Sequence, residues 1–170
     1  MNRKLTLLSD KLRDLILKQM AHELSNYSLY MSFATFYSRY GYVNLEKYYR
    51  KRADEEFKHH MWCYDYLSEA DCIFVYPAIP TVPEKYVPQS DLLKPFEWTI
   101  EREIETTQMI YAIKDAAIEE GDRMTSGWLN KLLITEQIEE ENTSRMAQSI
   151  AEQEDSWLEK AEEIYELLEN

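Results

Sequence analysis

Residues that make turns are scarce in this sequence of 170 residues, which contains three glycines and five prolines. Long periodic segments with so few turn residues predict a mostly helical chain. Cysteine is scarce as well: Cys63 and Cys72 form no Cys-x-x-Cys pair, and two cysteines do not make a disulfide framework. With 45% hydrophobic and 30% charged residues, the composition is that of a globular protein rather than a disordered one.

Basic residues are in the minority, since 19 Lys and Arg against 32 Asp and Glu give a formal net charge of −13. Nucleic acids and anionic membranes attract basic surfaces, so neither is expected as a partner. The charge favours cations or basic proteins, although a solvated acidic surface explains it equally well. No stretch approaches the roughly 20 apolar residues that span a bilayer, and residues 1–11 lack the apolar run of a signal peptide. With the two cysteines, these absences predict a cytoplasmic protein.

Helical periodicity predicts an all-α protein that folds as a single domain over residues 1–170. Four long helices and one short helix are expected, at about residues 10–38, 44–70, 95–120, 124–152 and 156–168. The segment 71–95 carries all five prolines and has no helical period. Such a segment is long enough to cross the length of a helix bundle, so we expect a parallel second and third helix joined by a long crossover.

Glutamates interrupt the apolar faces of the first, third and fourth helices. On the first helix, Glu23 lies on a line of apolar residues spaced by three and four positions. Glu103 holds the same place on the third helix, and Glu136 and Glu140 both face inward on the fourth. A bare carboxylate on a buried face is costly, so each requires a partner or a place at the rim of the core.

The second helix carries a carboxylate and an imidazole on its inward face. Glu56 and His59 are three residues apart, so they share one side of a helix and can hold the same transition metal. Pairing Glu55 with His59, or Glu56 with His60, gives two other possible registers. The apolar stripe favours Glu56 with His59 and turns His60 and Lys58 outward.

Taken together, four helices place acids near the middle of one core. Unpaired, each of these acids would cost several kcal/mol by burial. The chief basic candidate for the core, Arg52, cannot neutralise all of them, whereas two divalent or trivalent cations can. Oxygen-rich ligation with one imidazole suits iron or manganese better than structural zinc, and single glutamates with a Glu-x-x-His motif are a known way to build a di-metal centre in a helix bundle.

At this point the chain resembles the bacterial non-haem ferritins of the ferritin-like di-iron family, over nearly its full length. The motifs that carry the resemblance are His22-Glu23-Leu24 with Tyr27 and Tyr30, Ala53-Asp54-Glu55-Glu56-Phe57-Lys58-His59, Glu101-Arg102-Glu103, and Glu136-Gln137-Ile138-Glu139-Glu140. The resemblance implies a ferritin-like four-helix bundle with the long crossover between helices two and three and a short fifth helix at the C-terminal end.

The resemblance also implies a set of iron ligands. The first iron would be bound by Glu23, Glu56 and His59. The second iron would be bridged by Glu56 and held by Glu103 and Glu140, with Gln137 nearby. A third iron site would be formed by Glu55, Glu136 and Glu139. Tyr30 matches a tyrosine beside the centre that can donate an electron when oxygen is reduced.

The function implied is iron storage and detoxification by a ferroxidase. Two or three iron ions per subunit would be the cofactors, and dioxygen or peroxide would oxidise Fe(II) to Fe(III) for storage as a mineral in a shell of twenty-four subunits. Haem is not expected, because Arg52 and its neighbours stand where a methionine would ligate it. Glu136-x-x-Glu139 in place of a second Glu-x-x-His disfavours a bacterioferritin, and the lack of Cys-x-x-Cys pairs disfavours a rubrerythrin.

Two alternatives remain open from the residues alone. The first is a di-iron or di-manganese oxidase or peroxidase that stores no mineral. It remains open because the sequence indicates a metal site but does not indicate that the chains assemble into a shell. The second is an acidic helical-bundle interaction protein, in which the core glutamates pair with Arg52 and with tyrosine hydroxyls.

Overall fold

In the computed structural model, which describes residues 8–168, the chain is helical and contains no strand within those residues. The α-helices are α1 Asp10–Arg39, α2 Val43–Glu69, α3 Lys94–Glu119, α4 Arg123–Lys131, α5 Leu133–Ala151 and α6 Trp157–Glu166, and a short 3₁₀ helix covers Glu84–Tyr86. The predicted all-α class is confirmed. Among the described residues, no helix has the length and apolar character that a membrane span requires.

Side-chain caps determine where several helices begin. The Ser9 hydroxyl accepts a hydrogen bond from the Leu12 amide, 3.1 Å away, and so starts α1. The carboxylate of Asp122 caps α4. A capping box starts α6, since the Ser156 hydroxyl accepts from the Glu159 amide and the Glu159 carboxylate accepts from the Ser156 amide. These caps fix the starts of α1, α4 and α6, whereas α2 and α3 begin without a side-chain cap.

Two apolar clusters fill the bundle, one toward each end. One cluster contains Tyr30, Phe33 and Ala53, and the other contains Met20 and Cys63. On α1 the segment between Met20 and Tyr30 is mostly polar and buried, and on α2 the residues that are buried between Ala53 and Cys63 are all polar, namely Glu56, His59 and His60. The core therefore consists of two apolar clusters with a polar layer between them, and this layer holds the predicted acids.

The predicted fourth helix is interrupted at Leu132, whose backbone angles (φ −112°, ψ −80°) are not helical. The Thr135 hydroxyl donates to the Asn130 carbonyl at 3.0 Å, which satisfies a carbonyl near the break. After the break, the buried line of α5 runs Leu133, Gln137, Glu140, Ser144, Ala147 and Ala151. The prediction that Glu136 faces inward is wrong, because this line places Gln137 in the core and leaves Glu136 partly exposed.

The long crossover between α2 and α3 is anchored to α1 by tyrosine hydroxyls. The buried Tyr37 donates to the Leu92 carbonyl at 2.6 Å, and the exposed Tyr40 donates to the Gln89 carbonyl at 3.3 Å. The Gly41 turn between α1 and α2 (φ +81°) needs a residue without a Cβ. A tight turn on one side and an anchored crossover on the other thus hold the first three helices.

We expect Tyr37→Phe to lower the free energy of unfolding by about 1 kcal/mol, because it leaves the partly buried carbonyl of Leu92 without its donor. Tyr40→Phe is the matched control, since its longer bond is exposed to water and its loss should change that free energy by less than about 0.5 kcal/mol. Urea unfolding followed by circular dichroism measures both. Equal losses in the two variants would show that the Tyr37 contact does not anchor the crossover.

Candidate metal centre

Three buried side chains from two helices converge in the polar layer. Glu23 on α1 and Glu56 and His59 on α2 each offer one ligand atom, and these three atoms all lie within 4.8 Å of one another. Relative exposures are 0%, 1% and 2%. The spacing of three residues places Glu56 and His59 one above the other on α2, as the sequence predicts. A single cation can therefore contact all three.

Each member of this group has an atom that lacks a hydrogen-bond partner among the described residues: Glu23 Oε2, Glu56 Oε2 and His59 Nε2. The other carboxylate oxygens are held, because Gln19 donates to Glu23 Oε1 at 2.6 Å and Asn26 lies 3.5 Å from Glu56 Oε1. A buried polar atom without a partner costs about 1–3 kcal/mol. Two carboxylates and an imidazole with free atoms are a donor set that fits iron or another transition metal.

Burial sets the protonation of the three groups. It raises the pKa of the Glu23 carboxyl to about 7. The pKa of Glu56 is raised well above its usual range, first by burial and then by the negative charges of Glu103, Glu23 and Glu140. Burial, with the charge of Arg52 second, lowers the pKa of His59 to about 3. The imidazole is thus neutral, which is the form that binds metals, whereas the carboxyls retain protons that a cation must displace.

A second group of predicted ligands lies beside the first but is already hydrogen-bonded. Glu103 Oε1 accepts from the Tyr30 hydroxyl at 2.6 Å and from Arg52 Nη2 at 2.7 Å. Its other oxygen accepts from the Gln137 amide at 2.9 Å. Glu140 Oε1 lies 3.4 Å from Arg52 Nη1. Glu103, Gln137 and Glu140 are all buried, and Arg52 pairs with the two carboxylates.

The three acids predicted for a further site share one surface cavity of ≈ 370 Å³. Glu139 is exposed, while Glu55 and Glu136 are partly buried. Arg52 and Glu140 line the same cavity from the core side. The cavity therefore leads from the surface to the second group of ligands.

His60 lies elsewhere than the sequence predicts. It is buried, with Nδ1 2.7 Å from the Met20 carbonyl and Nε2 hydrogen-bonded to the Tyr76 hydroxyl. A single tautomer satisfies both partners, because Nδ1–H donates to the carbonyl and Nε2 accepts from the hydroxyl. The prediction that His60 faces outward is wrong, because the crossover residue Tyr76 covers this side of α2, which a bundle-facing stripe does not reveal.

Sequence reasoning missed the amides that orient the first group. Gln19 and Asn26 stand four residues before and three residues after Glu23, so both share its face of α1. Arg102 in turn holds Asn26 in place, since its Nε donates to Asn26 Oδ1 at 2.7 Å. The helical spacing around Glu23 could have identified both amides.

Known proteins share this fold and these motifs. The profile of the family described as "Ferritin-like domain" matches residues 13–152. A bacterial non-heme ferritin of Staphylococcus saprophyticus is 31% identical over 135 residues, which are 79% of this chain and 78% of that protein. A bacterial non-heme ferritin of Bacteroides fragilis is 28% identical over 139 residues, covering 82% of this chain and 85% of that protein.

Solved structures agree with these relatives. The crystal structure of an open pore ferritin from Archaeoglobus fulgidus superposes with a TM-score of 0.83 at 25% identity, covering 93% of this chain and 98% of that one. The resemblance to bacterial non-haem ferritins and the ferritin-like fold are thereby confirmed. This chain belongs to the ferritin family.

Proposed function

We propose that the protein is an iron-storage ferroxidase. It binds Fe(II) in the polar layer of the bundle, oxidises it to Fe(III) with dioxygen or peroxide, and stores the product as a ferric mineral inside a homo-oligomeric shell. The observation that carries this proposal is the group formed by Glu23, Glu56 and His59, whose buried ligand atoms lack partners among the described residues. The names of the bacterial relatives support iron as the metal.

Iron enters this reaction as the substrate, and the ligands that the chain offers favour its oxidised form. Carboxylates stabilise Fe(III) over Fe(II), because the greater positive charge gains more from each negative ligand. Glu23, Glu56 and His59 hold the first ion in the proposal. Glu56 bridges to a second ion that Glu103 and Glu140 complete, with Gln137 beside it. Two such ions supply the two electrons that reduce one dioxygen, with two protons, to hydrogen peroxide.

Tyr30 is placed to supply one of the two further electrons that, with two protons, reduce the hydrogen peroxide to water; an Fe(II) ion at the proposed third site would supply the other. Burial raises the pKa of its phenol well above the usual range, so the group stays protonated. Its hydroxyl donates to Glu103 at 2.6 Å. If Tyr30 loses an electron, its proton can pass along this hydrogen bond to the Glu103 carboxylate, so no positive charge is stranded in the core.

The surface cavity that contains Glu55, Glu136 and Glu139 provides the proposed third iron site and a path for ions between solvent and core. Cations gather at such a cluster because the whole chain is acidic. Arg52 and Glu140 form the inner wall of this cavity. An ion in this cavity lies beside Arg52 and Glu140, and Glu140 belongs to the second group of ligands.

One observation favours the alternative of a metal-free interaction protein. Arg52 and the Tyr30 hydroxyl do pair with core glutamates, as that alternative requires. The pairing reaches Glu103 and Glu140, whereas Glu23 and Glu56 share a hydrogen bond with each other, and their Oε2 atoms receive none from another side chain among the described residues. The metal centre therefore explains more of the core than internal pairing does.

We expect Glu56→Gln to reduce the initial rate of Fe(II) oxidation by at least about tenfold, because Glu56 would contact both ions and loses its charge. Glu139→Gln is the control, since Glu139 is exposed and outside the core group, and its rate should stay within about threefold of the original. Anaerobic Fe(II) loading followed by air, with ferric absorbance recorded against a protein-free control, measures both. Equal rates in the two variants would remove the bridging role, and a rate no faster than the control in the unmodified protein would remove the ferroxidase.

Cation binding should release protons from the core carboxyls. Because the pKa of Glu23 is about 7, zinc, which is redox-inert, should displace at least one proton at about pH 6 and fewer at about pH 8. Zinc affinity should rise over the same interval, because fewer protons remain to be displaced from the carboxyls. His59, with a pKa of about 3, is neutral throughout and adds no pH dependence of its own. Calorimetry in two buffers of different ionisation enthalpy counts the protons. In Glu23→Gln this pH dependence should weaken, and an unchanged dependence would assign the protons to other groups.

Storage requires assembly of a shell. Light scattering behind a size-exclusion column should give a mass about twenty-four times the 20.4 kDa of one chain. A stable monomer or dimer would hold no mineral. That outcome would leave the oxidase or peroxidase without storage as the better account of the same metal centre.

A further inference from the structure

The guanidinium of Arg52 lies where the proposed second ion would need to bind. Nη2 is 2.7 Å from Glu103 Oε1, and Nη1 is 3.4 Å from Glu140 Oε1 and 3.1 Å from Glu55 Oε2. Arg52 is only 2% exposed. Its charge thus pairs with both carboxylates that the second ion needs in addition to Glu56.

The two halves of the centre are therefore not equivalent. Glu23 and Glu56 each keep an oxygen without a partner among the described residues. Glu103 has both oxygens engaged, by Tyr30 and Arg52 on one and by Gln137 on the other. A cation reaches the first half without breaking any ion pair, but it reaches the second half only by replacing a guanidinium that keeps its charge at every relevant pH.

The net charge of the core also indicates that the second ion requires Arg52 to move. Four carboxylates are buried together, on Glu23, Glu56, Glu103 and Glu140. With all four ionised, once an ion has displaced the protons from Glu23 and Glu56, Arg52 and one divalent ion leave this group with a single excess negative charge, whereas a second divalent ion makes the total positive unless Arg52 withdraws. Buried uncompensated charge of either sign is costly, so withdrawal of Arg52 accompanies the second ion.

The structure also shows where the guanidinium can go. Arg52 lines the surface cavity formed with Glu55, Glu136 and Glu139, and Nη1 already contacts Glu55. Arg52 Nε has no partner among the described residues, so the side chain is held through its two terminal nitrogens. A rotation that keeps the Glu55 contact would carry the charge toward the acidic cavity and release Glu103 and Glu140.

We propose that Arg52 is a built-in cation that holds the second metal position, so that the chain binds one divalent ion first and admits a second only when Arg52 moves from Glu103 and Glu140 to the Glu55 cavity. This inference rests on the proposed function, since it assumes a metal centre at Glu23, Glu56 and His59. It assigns to Arg52 control over the number of ions in the core.

Crystals of the unmodified protein soaked in low and in high zinc test the displacement directly. At low zinc we expect one ion at Glu23, Glu56 and His59 with Arg52 still on Glu103 and Glu140. At high zinc we expect a second ion together with Arg52 turned toward Glu55. Two ions with Arg52 unmoved would overturn the inference, as would a single ion at Glu103 and Glu140. No core ion at either concentration would overturn the metal centre itself, and with it the proposed function.

Zinc calorimetry on two variants gives an independent measure. Arg52→Gln removes the charge and should tighten the weaker core site by about tenfold or more, whereas Arg52→Lys keeps the charge and should leave it within about threefold of the original. Circular dichroism checks that both variants fold. If Arg52→Gln folds only with zinc present, a metal ion has replaced the guanidinium, which supports the inference. Equal zinc binding in Arg52→Gln and the unmodified protein would overturn it, and if Arg52→Gln does not fold at all, the soaked crystals decide.

Discussion

The repulsion among buried carboxylates is the constraint on which the rest of this structure depends. Glu23, Glu56, Glu103 and Glu140 come from four helices and meet in one layer between two apolar clusters. In such surroundings like charges repel far more strongly than in water. Three kinds of positive charge can reduce this repulsion: protons on the carboxyls, the guanidinium of Arg52, and cations from solution. Replacing buried charged groups with apolar side chains is often neutral or stabilising, so in the function that we propose the acids are present for the ions that they bind.

The protons and the guanidinium that offset the carboxylate charges lie in different parts of the layer. Protons remain on the Glu23 and Glu56 side, where burial raises the pKa of both groups. Arg52 offsets the charges of Glu103 and Glu140, with which it forms ion pairs. In the function that we propose, the first ion displaces protons and the second displaces an arginine. The two steps differ in kind, so the chain can bind one ion without committing to the two-electron reaction that needs both.

Much of the fold could be predicted from the sequence, because each long helix carries a periodic apolar face and several begin at a side-chain cap. Helical spacing alone places Glu23, Glu56 and His59 on inward faces, and the resemblance to the bacterial non-haem ferritins implies that the three form one group. The break at Leu132 could not be predicted, since neither glycine nor proline marks it. The place of Glu136 could not be predicted either, because helical spacing alone does not decide between Glu136 and its neighbour Gln137, and the structure buries Gln137.

The remaining differences arise from contacts between distant parts of the chain. The burial of His60 depends on Tyr76, sixteen residues away in a crossover without periodicity. The role of Arg52 depends on which of several acids a long, flexible side chain selects, and Glu103 and Glu140 lie 51 and 88 residues from it. Local patterns identify which residues enter the core. They do not determine which of those residues pair there.

The central claim is that the polar layer binds iron through Glu23, Glu56 and His59. Anomalous diffraction at the iron absorption edge, from a crystal loaded with Fe(II) without oxygen, tests this most directly. We predict an anomalous peak within coordination distance of all three side chains. A crystal whose iron peaks lie only at exposed acids, with none in the layer between the two apolar clusters, would contradict it.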